Sequence, residues 1–141
     1  MSDDTARSTR LELDGSAAGI TDARNHARAF LEQSVPPPDD RLLGDALVAV
    51  SELVTNAVRH APGPCVLAMS DDGRRITIAV SDTHSTPPRA RPKDLEGGGG
   101  GLGWHVLCEI AGTVDTEAHP VGKTVAVTLD RERAPISAAG H

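Results

Sequence analysis

With 141 residues the chain is long enough for one domain with a proper core and too short for two comfortable ones. A formal net charge of −6 with no basic stripe argues against a nucleic-acid backbone as the main partner, and the only aromatics, Phe30 and Trp104, leave no platform for base stacking. The core must therefore be built from Leu, Val, Ile and Ala. Cys65 and Cys108 show no CxxC pairing, so reduced thiols are the safer reading. Met1-Ser2-Asp3-Asp4 opens no apolar run, and no stretch approaches the roughly 18 apolar residues of a membrane span. These features predict a soluble, cytoplasmic protein.

Residues 1–8 read as a loose tail, the domain as 9–130, and 131–141 as a second loose tail. A short alternating strand is expected around Arg10-Leu11-Glu12-Leu13. Ala23, Ala27, Phe30 and Leu31 recur at three- and four-residue steps and predict a helix from about Ala17 to Gln33. Pro36-Pro37-Pro38 ends it, and Asp39-Asp40 caps a second helix over 40–60 that buries Leu43, Leu47, Val50, Val54 and Val58. Strands Cys65–Ser70 and Arg75–Ser81 flank Asp71-Asp72-Gly73-Arg74, whose Asp-Gly pair signals a hairpin. Residues 83–101, first rich in Pro and Arg and then in Gly, read as a long lid. A helix from near Gly103 to Ala111, then strands Thr113–Glu117 and Thr124–Leu129, complete the chain. The order predicts an α+β fold: a two-layer sandwich with a mixed, mainly antiparallel sheet and helices on one face.

Ser51-Glu52-Leu53-Val54-Thr55-Asn56-Ala57-Val58-Arg59-His60 sets polar residues at helical spacing inside the second helix. Positions four and seven apart share a face, so Glu52, Asn56 and Arg59 form one stripe. A carboxylate, an amide and a guanidinium in a row suit magnesium-bound phosphate, although the wet face of an ordinary amphipathic helix carries the same residue types. Asp82 ends an apolar strand beside the long loop, where it can accept a hydrogen bond from an adenine amino group or simply form a turn. Gly101-Leu102-Gly103 precede a helix start whose free amides face phosphates, unless the glycines are a plain linker. Gly122-Lys123-Thr124 mimics the tail of a Walker A loop, but Glu117 stands where the first glycine belongs and a strand follows where a helix is required. The histidines lack zinc-ligand spacing, and His26 reads as a surface residue.

Taken in order, Glu52 and Asn56 on a helix, a strand ending in Asp82, a lid, Gly101-Leu102-Gly103 and a closing strand with Thr124 resemble the histidine-kinase/Hsp90-like ATPase fold. Within it the chain is most similar to the small stand-alone anti-sigma-factor serine/threonine kinases of actinobacteria. The resemblance covers about residues 10–130 and implies ATP and Mg2+ as cofactors. It assigns magnesium to Asn56, orientation or deprotonation of the attacking hydroxyl to Glu52, and adenine to Asp82 with help from Thr124. It places Gly101, Leu102 and Gly103 beside the phosphates, with Arg59 and His60 near the phosphate tail. Two departures stand out. Thr83-His84-Ser85-Thr86-Pro87 lacks the glycines that many relatives carry after the aspartate, and Leu102 stands where close relatives often have Arg.

The resemblance implies a kinase that phosphorylates a serine or threonine of a partner (antagonist) protein with Mg-ATP, with a sigma factor and/or an anti-anti-sigma (antagonist) protein as partners, and a homodimer through the sheet or first helix. A non-catalytic, nucleotide-sensing protein-binding switch is the alternative. A detached sensor-kinase catalytic domain ranks last, because the chain has no room for a dimerising phosphoacceptor hairpin.

Overall fold

The structure, a computed structural model, describes residues 6–60, 63–82, 107–111, 113–120 and 122–131. In chain order it comprises β1 (Arg7–Leu13), α1 (Ala18–Glu32), α2 (Asp40–His60), β2 (Cys65–Asp71), β3 (Arg75–Asp82), β4 (Thr113–His119) and β5 (Gly122–Asp130). Residues 107–110 form a helical stretch between β3 and β4. The five strands make one open sheet in the order β1-β2-β3-β5-β4, and each of its pairings is antiparallel. The expected α+β architecture is the observed one.

Strand alternation separates the two faces of the sheet. Cys65, Leu67, Met69 and Asp71 of β2 and Ile76, Ile78, Val80 and Asp82 of β3 point inward and are buried, while most residues between them are partly exposed. On that inner face α2 packs across β3 and β5, and α1 packs on α2 and β1. Ala46, Leu47, Ala49, Val50, Leu53, Val54 and Ala57 form the buried stripe of α2, recurring at helical spacing. Ala23 and Ala27 of α1 are fully buried, so small side chains bring the helices close while Phe30 and Leu31 fill the end of the core.

The helix and hairpin boundaries follow from local chemistry. Leu42 N donates to Asp39 Oδ1 at 2.8 Å, the N-cap bond that starts α2. In the β2–β3 turn, Arg74 N and Arg75 N both donate to Asp72 Oδ1 at 2.8 Å, holding that carboxyl below its ordinary range, and Gly73 takes the positive φ of +91° that the turn needs.

Both ends of the domain reach further than the sequence pattern indicates. Arg7 belongs to β1 because its guanidinium lies 4.3 Å over the Phe30 ring and donates to Phe30 O and Ser34 Oγ. Arg131, placed by sequence in the loose tail, is anchored instead, with Nη1 3.1 Å from Asp71 Oδ2 and Nη2 donating to Pro36 O. The lid at 83–101, the helix start near Gly103, residues 1–5 and residues 132–141 lie outside the described residues.

Candidate functional site

The polar stripe of α2 stands as its spacing predicts. Glu52 and Asn56 are half-buried at the margin of the apolar face, next to buried Leu53, Val54 and Ala57, and Arg59 one turn on is exposed. His60 is the last residue of α2, and its side chain lies outside what is described. Helix α2 ends at His60 and β2 begins at Cys65, which is paired with Asp82. Five residue steps span at most about 18 Å of extended chain, so the end of α2 lies within that distance of Cys65, the register partner of Asp82.

Asp82 is the last residue of β3, and its side chain falls on the helix-covered face with only 8% of the residue exposed. Directly opposite on β5 stands Lys123. Its Nζ lies 2.8 Å from Asp82 Oδ2, and its backbone N–H donates to Oδ1 at 3.2 Å. The ion pair is half-sheltered, with side-chain exposures of 19% for Lys123 and 4% for Asp82. Gly122 makes this approach feasible: a Cβ there would sit 2.1 Å from the Asp82 carbonyl oxygen. On the other side of Asp82, Cys65 is buried, and its thiol is pushed up first by that burial and then by the charges of Asp82 and Asp14.

Thr124, which the resemblance groups with Asp82, lies one residue beyond Lys123 on β5 and so on the opposite face of the sheet. Its hydroxyl is 2.8 Å from Ser81 Oγ and 3.1 Å from His119 Nε2. The side chain beside Asp82 is therefore that of Lys123, which sequence reasoning noted only while rejecting a P-loop. That rejection agrees with the fold, since Gly122–Asp130 is a strand. Gly101, Leu102 and Gly103 lie outside the described residues. His26 is half-buried, with Nε2 2.9 Å from Thr9 Oγ1. It borders an open groove of about 290 Å³ between β1 and α1, lined also by Arg7 and Phe30. Arg7 pairs with Asp71, six residues from the Cys65 end of the strand pairing, so this groove belongs to the other end of the sheet.

No group of three His, Cys, Asp or Glu side chains among the described residues is arranged to hold a metal ion. A magnesium ion needs no such cage, because it is commonly held by one or two protein oxygens together with substrate phosphates and water. The Asn56 amide oxygen, half-buried on α2 with Glu52 one turn away, is a donor of that kind. Nor is any described helix long and apolar enough to cross a membrane.

Residues 15–129 match the sequence family described as the histidine kinase-like ATPase domain. No curated protein matches the chain by sequence. Among solved structures, the chain is similar to the crystal structure of the RsbU and RsbW domains of Rv1364c from Mycobacterium tuberculosis, with a TM-score of 0.63 and 18% identity. That similarity covers 87% of this chain but 32% of the other, so it is a likeness of fold to one part of a longer protein.

Proposed function

The chain belongs to the histidine kinase-like ATPase family, and on that premise we propose that it binds ATP with Mg2+ and serves as a regulatory protein serine/threonine kinase of the anti-sigma-factor type. The observation that carries the reading is Asp82, a carboxylate 8% exposed at the end of β3, on the face covered by α2. A buried acceptor at a sheet end is suited to an amino hydrogen of adenine. Asn56 would hold the magnesium that travels with the triphosphate, Arg59 and His60 would serve the phosphate tail, and Gly101, Leu102 and Gly103 are the family's candidates for the phosphate-side glycine box. Thr124 would contribute to the base end only through the strand it shares with Lys123, since its side chain lies on the opposite face of the sheet.

Bound Mg·ATP supplies an activated terminal phosphoryl group, and the protein's part is mostly positioning and charge. Glu52, one turn before Asn56, accepts the proton of a serine or threonine hydroxyl as that oxygen takes the phosphoryl group and ADP leaves. The partner is an antagonist protein or sigma factor. The RsbW domain of the structural neighbour supports this class as an analogy of fold. A cytoplasmic homodimer is part of the same reading.

A second reading, a nucleotide-sensing switch that binds its partner without transferring phosphate, draws support from Leu102, whose apolar side chain has no charge to offer a phosphate. Labelled ATP incubated with the protein and a purified antagonist separates the two. The kinase reading expects labelled antagonist, and loss of label with Glu52→Ala while ATP still binds. Undiminished transfer by Glu52→Ala would remove that residue's role, and binding without transfer by the native chain would favour the switch.

A further inference from the structure

Lys123 is the one charged side chain that the sheet register places directly across from Asp82, and its ammonium is already on the carboxylate at 2.8 Å. We propose that Lys123 tunes nucleotide affinity at the base end of the site: its ammonium competes with the base's amino group for Asp82, and binding weakens in proportion. The inference rests on the reading of Asp82 as the adenine acceptor given above.

Three observations support it. The contact is enforced by the fold, since Asp82 and Lys123 are register partners and Gly122 lets the two backbones approach to a distance no Cβ would permit. Each carboxylate oxygen receives a Lys123 donor, Oδ2 from the ammonium and Oδ1 from the backbone amide. The pair is partly withdrawn from water, with Asp82 the deeper member, so water screens it weakly and the ammonium is a strong rival to a neutral amino donor. A base that approaches Asp82 meets a carboxylate whose charge is already balanced. Where the ammonium is absent, Asp82 Oδ2 loses that donor, and the incoming amino group can take its place.

The test is calorimetric titration of the native chain, Lys123→Met and Lys123→Arg with ATP·Mg2+ and, separately, with adenosine. Lys123→Met keeps the stem of the side chain and removes its charge. Lys123→Gln serves as a second neutral variant if Lys123→Met fails to give a cooperative melt. The expected result is binding tightened about tenfold in the neutral variant, in line with the loss of one hydrogen bond to a charged group. The gain should be equal for ATP and adenosine, because the effect sits at the base. Lys123→Arg should bind as the native chain does. Unchanged affinity, or a loss confined to ATP, overturns the proposal and leaves the nucleotide site standing; the latter pattern would make Lys123 a phosphate contact. If no variant and not the native chain binds either ligand, the reading of the site itself fails, and this inference with it.

Discussion

Asp71 and Arg131 form a buried ion pair, Nη1 to Oδ2 at 3.1 Å with 3% and 8% of their side chains exposed, that joins the end of β2 to the residue following β5. Ser34 Oγ donates to the same carboxylate oxygen at 2.9 Å and in turn accepts from Arg7 Nη1, so β1, the end of α1, β2 and the end of β5 meet at one polar cluster. No buried side-chain polar atom among the described residues lacks a partner. Removing one member of such a pair leaves the other charged in a poor solvent, at a cost of about 3 kcal/mol. Arg131→Ala should therefore lower the unfolding free energy by about that amount in a urea titration while nucleotide binding at the distant Asp82 stays intact. A loss under about 0.5 kcal/mol, the size of an ordinary surface change, would show that the cluster contributes little.

Two glycines should respond in opposite directions. At Gly122 a methyl group would collide with the Asp82 backbone, so Gly122→Ala should destabilise the fold by about 1–3 kcal/mol. Gly44, exposed in the interior of α2, has nothing within 4 Å of its added Cβ. Gly44→Ala should stabilise by about 0.5–1 kcal/mol through helix propensity alone. Thermal melts of both variants check the pair of signs.

The two cysteines should behave differently towards an alkylating reagent. Cys108 is exposed and Cys65 is buried, with its thiol raised by that burial. At pH 7.5 the native protein should label at Cys108, with Cys65 following only in denaturant. Because the folded state raises the Cys65 pKa, it holds that proton more tightly than the unfolded chain does. The corresponding stability is present below the ordinary thiol value of 9.0 and is lost as the pH rises through the raised one. Denaturation from pH 8 to 10.5 should show this decline in the native chain and a shallower one in Cys65→Ala.

Much of this architecture is written in local pattern. The recurrence of Leu47, Val50, Val54 and Ala57 marks α2 and its buried side, and the same 3.6-residue period places Glu52 and Asn56 together at its margin. Asp72-Gly73 between alternating runs marks the β2–β3 hairpin. What pattern does not carry is pairing across long stretches of chain. Nothing local says that β5 inserts between β3 and β4, and only that insertion places Lys123 opposite Asp82, 41 residues away. The family resemblance likewise groups Thr124 with Asp82, although the pleat sets their side chains on opposite faces. Arg7 and Arg131 look like tail residues until their partners Phe30, Ser34 and Asp71 are near in space.

The central claim is that Asp82 and Asn56 serve one nucleotide site, and calorimetric titration with ATP, with and without Mg2+, tests it most directly. The native chain should bind ATP in a magnesium-dependent manner. Asp82→Ala should abolish binding in both conditions, whereas Asn56→Ala should remove the magnesium dependence and leave weak, metal-independent binding, each variant keeping a cooperative melt. Absence of binding by the native chain at millimolar ATP, or equal binding by the native chain and a folded Asp82→Ala, would contradict the account.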